Sequence, residues 1–236
     1  MELWVIIVLI VVLGVVLCAC LAVANFSYES YYNKFLELNE VQSKSGITVF
    51  QFFMYINKNF LDDKIKIYQN QEEGQDAYAR GVLYLSPSTL TSNSLAAFAI
   101  IAHELGHALQ DKTSNKLKRL SFLRRLGYFV GAFMFPLLIA GVVLMIIGGN
   151  LFWYGVGLAG GGALIFFLAI LIKAITIKIE KEASQNAIMF LKSVLDEQEL
   201  KTCRKFLNDA KLTYWGDMFR ALLSWTFLTR KGKLFR

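Results

Sequence analysis

Long uncharged stretches dominate the polar and apolar pattern of this chain and predict helices that cross a membrane. Residues 3–24 carry no charged side chain, and neither do residues 126–172. The second stretch is too long for one crossing, but it divides at Gly148-Gly149-Asn150 into two spans of about 22 residues, each enough for a hydrocarbon core of about 30 Å. We therefore expect an N-terminal anchor and a two-helix transmembrane hairpin.

The apolar run at the N-terminus also resembles a secretory signal peptide in one respect. Ala22-Val23-Ala24 is similar to a small-residue cleavage site. However, a signal peptide begins with a positively charged region, whereas this chain has Glu2 there, and the apolar run is longer than a usual signal core. An uncleaved transmembrane anchor over residues 1–25 is the interpretation that the pattern favours.

Shorter patterns between the spans predict a helix and two strands. Apolar residues at helical spacing predict a helix near residues 47–60, which Ser45 or Thr48 could cap. Polar and apolar residues alternate over residues 64–68, and residues 81–85 form a continuous apolar run. Both patterns are typical of strands. We expect these strands to form an antiparallel hairpin or a small sheet, whose edge could bind an extended peptide.

The C-terminal part continues the last span. Residues 173–194 predict a helix that extends beyond the membrane, and residues 196–211 predict another with one polar face. Residues 213–229 are apolar and aromatic but contain charges, which indicates an amphipathic segment that lies on the membrane or covers a site. A fourth span would place the basic C-terminus outside, against the usual charge distribution.

The net charge of +7 is distributed as in a multi-pass membrane protein. No Lys or Arg lies in residues 1–25, and basic residues flank the hairpin at Lys116, Lys118, Arg119, Arg124, Arg125, Lys173, Lys178 and Lys181. Because loops rich in Lys and Arg usually stay on the cytoplasmic side of a membrane, residues 26–125 and 173–236 are expected in the cytoplasm. The basic cluster at residues 116–125 is expected to contact lipid headgroups. No nucleic-acid-binding module accompanies the charge, so nucleic acid is not an expected partner.

A five-residue motif carries the chemistry. The only two histidines of the chain are His103 and His107, and they form an HExxH pattern with Glu104. Residues four apart share one face of a helix, so both imidazoles can bind a single Zn²⁺. Glu104 is placed to act as general base on a water in the open position of the metal.

The surrounding residues favour a helix that lies outside the bilayer. Residues 95–110 contain no Pro and a single Gly, within the motif, and Ser92, Asn93 or Ser94 could cap them. The apolar run before His103 has about eight residues, too few to span a membrane. This argues against an intramembrane protease, in which the zinc helix would lie within the bilayer.

The third zinc ligand must come from another residue type, because catalytic zinc sites usually have three protein ligands and no third histidine exists. A carboxylate is favoured, and Cys203 is the less favoured alternative. Cys18 and Cys20 lie in the apolar N-terminal run and are poor candidates. Three cysteines with this distribution form no disulfide framework and are compatible with a reducing cytosol.

The whole arrangement resembles the YugP-like membrane zinc metallopeptidases of bacteria. The resemblance extends over nearly the whole chain, from the N-terminal span through HELGHALQ at residues 103–110 to the hairpin. It also includes Leu85-Ser86 ahead of Ser94-Leu95-Ala96-Ala97, the run Glu180-Lys181-Glu182-Ala183-Ser184, and Leu207-Asn208, Ala210 and Leu212-Thr213-Tyr214.

The resemblance implies a gluzincin-type site in which Glu180 is the third zinc ligand. In that family, and in the more distant integral-membrane gluzincins, the glutamate that opens an E-x-x-A-[S/D] motif has this role. Ser184, four residues on, could hydrogen-bond within the site, and Asp111 is another possible partner. The chain departs from the family pattern at Lys181, where an aromatic residue is usual, and at residues 77–80, which replace an acidic-proline turn.

Together these features predict a mainly α membrane protein with a small β element. It comprises an anchor (1–25), a cytoplasmic metallopeptidase half with the HExxH helix (26–125), a transmembrane hairpin (126–172) and a second cytoplasmic half with Glu180 (173–236). Glu180 lies about eight residues past the hairpin, a rise of about 12 Å, so the site is expected near the cytoplasmic membrane surface.

The predicted activity is zinc-dependent hydrolysis of peptide bonds in a peptide or membrane-protein substrate. Glu104 would take a proton from water and pass it to the leaving amine. Tyr214, Arg80 and Arg220 are candidates for stabilising the oxyanion. The alternative is a non-catalytic membrane interaction or assembly factor that retains a zinc site, but structural zinc usually has four protein ligands, and only three are evident here.

Overall fold

The computed structural model of the chain describes residues 3–72 and 74–222, most of which are helical. The helices and strands are α1 (Leu3–Glu40), α2 (Val49–Phe60), β1 (Lys66–Gln69), β2 (Ala77–Ala79), β3 (Val82–Leu85), α3 (Pro87–Thr91), α4 (Leu95–Thr113), α5 (Lys116–Ile147), α6 (Leu151–Leu191) and α7 (Glu197–Leu222).

Three helices in the described part of the chain are long and apolar enough to cross a membrane. They comprise Gly14–Glu40 of α1 and the whole of α5 and α6. The break between α5 and α6 falls at the predicted position, where Gly148 and Gly149 have φ angles of 77° and 58°. Residues with a side chain rarely adopt such positive φ angles, so glycine suits both positions of this turn. That α5 and α6 form a transmembrane hairpin stays a prediction.

The chain divides into two compact units. The first, here called the apolar unit, contains Phe122–Thr176 with the beginning of α1 and the end of α7. The second, here called the sheet unit, contains Glu29–Ser121 and Ile177–Leu212, and thus the sheet, α2, α3 and α4.

Within the apolar unit, glycines bring α5 and α6 into close contact. A Cβ atom on Gly141 would lie 2.6 Å from the backbone nitrogen of Ala159, and one on Gly155 would lie 2.6 Å from the carbonyl oxygen of Gly141. Small residues at such crossings are typical of helices that pack in lipid. The glycine-rich start of α6 thus allows close packing against α5.

The core of the sheet unit forms around α4. Its buried apolar side chains include Phe52 and Ile56 of α2, Leu83 and Leu85 of β3, Phe98 and Ile101 of α4, and Phe190 of α6. The side chain of Thr48 accepts a hydrogen bond from the Gln51 backbone and completes a capping box, which fixes the start of α2. The predicted helix near residues 47–60 is confirmed, with Thr48 as its cap.

The small sheet differs from an antiparallel hairpin of the two predicted strands. Its order is β1-β3-β2, with β1 parallel to β3 and β2 antiparallel to it. The hairpin is formed instead by β2 and β3, through a tight turn at Arg80 and Gly81 whose φ angles are 48° and 83°. The three-residue β2 was not predicted, since its sequence, Ala-Tyr-Ala, is too short for alternation to be evident.

The C-terminal part also differs from the prediction of two segments. Residues 197–222 form one helix, α7, without a break between residues 211 and 213. Residues 223–229 of the predicted amphipathic segment lie outside the described residues. The location of this segment on a membrane stays a prediction.

Candidate metal centre

The helix α4 holds both histidines on one face. Of the three predicted caps, Ser94 is the one that begins the helix, because its hydroxyl accepts a hydrogen bond from the Ala97 backbone at 3.2 Å. Capping satisfies a backbone donor that the helix leaves unpaired. One turn separates His103 from His107, and their ring centroids lie 4.8 Å apart.

A carboxylate from α6 lies between the two histidines. Glu180 is fully buried, and its Oε2 atom is 3.4 Å from Nε2 of His103 and 3.3 Å from Nε2 of His107. The potential ligand atoms of these three residues all lie within 4.8 Å of one another. The structure thus brings together the residues that the sequence suggested as ligands, although they are more than 70 residues apart along the chain.

The spacing of these atoms suits zinc. Two ligand atoms at 2.0–2.2 Å from a tetrahedral Zn²⁺ lie about 3.4 Å apart. Both measured nitrogen–oxygen separations, 3.4 and 3.3 Å, have this length. Two imidazoles and one carboxylate also form a donor set typical of catalytic zinc, with a fourth position left for water.

The alternative ligand Cys203 lies elsewhere. Its buried Sγ atom is 3.7 Å from the carbonyl oxygen of Leu95, the first residue of α4, two turns before His103. Burial, followed by the charge of Glu199, raises the pKa of this thiol to about 12. A thiol that stays protonated is a poor metal ligand.

Hydrogen bonds at the far side of each imidazole fix the tautomer that a metal requires. The amide nitrogen of Gln110 donates to the carbonyl oxygen of Ile179 at 2.9 Å, so its Oε1 atom accepts from Nδ1 of His107 at 3.0 Å. The hydroxyl of Ser184 donates to the carbonyl oxygen of Glu180 at 3.1 Å and accepts from Nδ1 of His103 at 3.3 Å. Both Nε2 lone pairs are therefore free to face the cluster.

Electrostatics in the cluster favour positive charge. Burial acts to lower the pKa of His107, but the hydrogen bond and charge of Glu180, together with the charge of Glu104, outweigh burial and raise that pKa. A site that stabilises a proton on imidazole in this way is equally suited to a cation that replaces the proton.

Close approach of α6 to α4 depends on Gly106. A Cβ atom at this position would lie 2.3 Å from the carbonyl oxygen of Ala183. The side-chain amide of Asn186 also donates to the carbonyl oxygen of Gly106 at 3.4 Å. Glycine inside a helix is unfavourable by about 1 kcal/mol, and here it allows the helix that carries Glu180 to reach the histidines.

The carboxylate of Glu104 points to the sheet. Its Oε2 atom accepts a hydrogen bond from the backbone nitrogen of Tyr78 in β2 at 2.8 Å. The hydroxyl of Tyr78 in turn donates to Asp111 at 3.0 Å and accepts from the backbone of Gly81 at 2.9 Å. Burial, and then the bond to Asp111, raise the pKa of Tyr78 to about 12. Strand β2 is thereby tied to α4 at two positions, Glu104 and Asp111.

Two other carboxylates have different partners from Glu180. The carboxylate of Asp111 accepts from the hydroxyl of Tyr78, whereas Gln110 is the partner of Nδ1 of His107. Glu182 pairs with Lys116 at 2.6 Å and is not part of the cluster.

The candidates for stabilising an oxyanion stay predictions. Arg80 is exposed at the turn that follows β2. The side chains of Tyr214 and Arg220 lie outside the part of the chain that the structure describes. Sequence reasoning missed Gln110 and Tyr78. The position of Gln110, three residues after His107 on the same helix face, could have identified it.

Comparison with known proteins identifies a relative and a family. The chain is 25% identical over 193 residues to the Bacillus subtilis (strain 168) protein named "Putative membrane protease YugP", which covers 81% of this chain and 82% of that protein. No solved structure matches the chain. Residues 5–230 match the family described as "Putative neutral zinc metallopeptidase", and since this is nearly the whole sequence, the chain belongs to that family.

Proposed function

We propose that this protein is a membrane-bound, zinc-dependent endopeptidase whose active site faces the cytoplasm near the membrane surface. The observation that carries the proposal is the buried cluster of His103, His107 and Glu180 beside Glu104. Family membership and the relative named as a membrane protease support the same class of activity.

In this proposal His103, His107 and Glu180 hold the metal through Nε2, Nε2 and Oε2. When bound, zinc supplies a Lewis acid that polarises a peptide carbonyl and lowers the pKa of water toward about 7. Gln110 and Ser184 orient the two imidazoles and keep their Nδ1 atoms protonated. The ligands are thus rigidly arranged before substrate arrives.

Glu104 is the proposed general base. Its carboxylate takes a proton from the attacking water and later donates it to the leaving amine. The backbone N–H of Tyr78 holds one carboxylate oxygen at 2.8 Å and leaves the other to accept the proton. Because Tyr78 is itself fixed by Asp111 and Gly81, β2 positions the base without contributing a reacting group.

The membrane setting is proposed from composition and charge. Three apolar helices and the name of the relative support association with a membrane. Basic residues at the start of α5 and in the C-terminal half of α6 favour a cytoplasmic location for residues 26–125 and 173–236. Substrates are then peptides or membrane-protein segments that reach this side of the bilayer.

Cleavage assays with matched variants test the proposal. Wild-type protein and Glu104→Gln are reconstituted in vesicles with zinc and given unfolded polypeptides. Loss of the general base should reduce the cleavage rate by at least about 100-fold, while zinc content stays near that of the wild type. Equal rates for the two proteins would refute a peptidase and favour a non-catalytic membrane factor that retains zinc.

Zinc content tests the ligand set independently of activity. Glu180→Ala should lose bound zinc, because it removes one of three donors. Glu182→Ala is the matched control: it removes a carboxylate two residues away whose partner is Lys116. Equal zinc loss from both variants would contradict the assignment of Glu180.

A further inference from the structure

A groove lies between α6 and α7 on the sheet unit, next to the candidate metal centre. Its volume is about 300 Å³, which is at the small end of the range for ligand pockets. One helical face of α6 and one of α7 line it, through Lys181, Ser184, Gln185, Ile188, Arg204 and Leu207.

One side chain separates the groove from the Nδ1 side of a candidate zinc ligand. Ser184 lines the groove, and its hydroxyl lies 3.3 Å from Nδ1 of His103. The same hydroxyl donates to the backbone oxygen of Glu180. A molecule in the groove therefore sits one side chain away from two candidate zinc ligands.

The groove is positively charged. Lys181 and Arg204 are exposed, and among the described residues neither has an ion-pair partner. The acidic residues close to them along each helix have other partners: Glu182 pairs with Lys116 and Asp209 with Lys34, while Glu180 lies at the histidines and Glu199 accepts a hydrogen bond from the Lys44 backbone. Two cations beside an apolar floor of Ile188 and Leu207 suit a group with an aliphatic stem and an anionic end.

We propose that this groove binds an acidic side chain, Asp or Glu, of the polypeptide substrate close to the bond that is cleaved. The inference rests on the proposed peptidase function and adds a substrate preference to it. The link through Ser184 favours a substrate segment over a lipid headgroup, because a polypeptide cleaved at the metal has to pass beside the cluster. The side-chain amide of Gln185 provides a further hydrogen-bond partner for the carboxylate or the backbone of that substrate segment.

Paired peptides measure the preference. A cleavable peptide is synthesised with Glu or Gln at each position flanking the cleaved bond, and kcat/KM is measured in phosphatidylcholine vesicles without anionic lipid. At one position the wild type should prefer Glu by roughly 2- to 30-fold, since each exposed ion pair contributes a factor of about 1.4 to 5. The preference should decrease as salt shortens the Debye length.

A charge-matched pair of variants tests whether the groove is the source of the preference for the Glu peptide. Lys181→Gln/Arg204→Gln should remove the preference and retain the rate on the Gln peptide, which shows that the site is intact. Lys201→Gln/Lys205→Gln removes the same charge from exposed positions on α7 outside the groove, and it should keep the preference. Equal preference in both double variants would overturn the proposal.

Binding separates failure of this inference from failure of the proposed function. If the wild type cleaves no peptide, the peptidase proposal fails, and fluorescence anisotropy of the labelled Glu and Gln peptides on the Glu104→Gln protein still tests the groove. Equal affinity for the two peptides would overturn it. So would a groove variant that keeps peptide selectivity but loses affinity for phosphatidylglycerol vesicles, because the cations would then bind lipid.

Discussion

The apolar unit and the sheet unit use hydrophobic residues in opposite ways. In the apolar unit large side chains point outward: Trp153 is 75% exposed and Leu164 is 61% exposed. In the sheet unit Phe52 and Phe98 are fully buried, and among the described residues no buried side-chain nitrogen or oxygen lacks a hydrogen-bond partner. Exposed apolar surface of this extent is rare in water but normal in lipid.

The comparison teaches where close packing has chemical consequences. In the apolar unit, close contact joins backbone to backbone and requires only small residues. In the sheet unit, the same closeness fixes hydrogen bonds that set the tautomers of two histidines. Matched substitutions in the two units should therefore differ most in their effect on metal binding.

The largest difference is expected between two glycines. Gly106→Ala places a Cβ atom 2.3 Å from the Ala183 carbonyl oxygen, so α6 must move, whereas Gly157 has no atom within 4 Å of the same position. We expect Gly106→Ala to lower the free energy of unfolding by about 3 kcal/mol and to release zinc. Gly157→Ala should be neutral or stabilising by up to about 1 kcal/mol. Thermal unfolding and zinc content measure both, and similar behaviour would contradict the packing described here.

An intermediate effect is expected from the amide that supports His107. Gln110→Ala removes the acceptor for Nδ1 and the link to Ile179, which should weaken zinc affinity by about 10- to 100-fold. The matched change in the apolar unit is Thr176→Val, since the Thr176 hydroxyl bonds only to Ile172 in its own helix. Competition with a zinc chelator measures affinity. If Thr176→Val weakens zinc affinity as much as Gln110→Ala does, the effect of Gln110→Ala is not due to the lost hydrogen bond to the His107 imidazole.

The smallest effect is expected from Tyr78→Phe and appears as a dependence on pH. The folded state raises the pKa of Tyr78 to about 12, above an unfolded value of about 10. The neutral phenol therefore stabilises the fold fully below about pH 10, and this contribution is lost as pH rises through about 12.

The stability difference between wild type and Tyr78→Phe should therefore be constant up to about pH 10 and shrink above it. Denaturant unfolding at a series of pH values measures it. Tyr154→Phe removes an exposed phenol from the apolar unit and should leave the profile unchanged. A Tyr78 difference that does not vary between pH 10 and pH 12 would argue against the raised pKa, and so against the burial and the bond to Asp111 that cause it.

Local patterns in the sequence predicted the helices and the core of the candidate site. The spacing of His103 and His107 placed both on one helical face, and the absence of another histidine required a different third residue. The choice of Glu180 came from a resemblance, because no local rule connects it with α4. The groups that depend on tertiary contact, β2 with Tyr78 and the link from Gln110 to Ile179, could not be inferred, since their partners lie far away in the chain.

Gly106 has a consequence for how freely this sequence can vary. The two positions between Glu104 and His107 are open to any residue in the general motif, but in this chain the second is occupied by the only residue type that the neighbouring helix tolerates. We expect random substitution here to recover glycine almost as strictly as histidine at the flanking position. In this protein four of the five motif positions are therefore restricted to one residue type. The restriction at Gly106 comes from the distance between two helices and not from binding a metal.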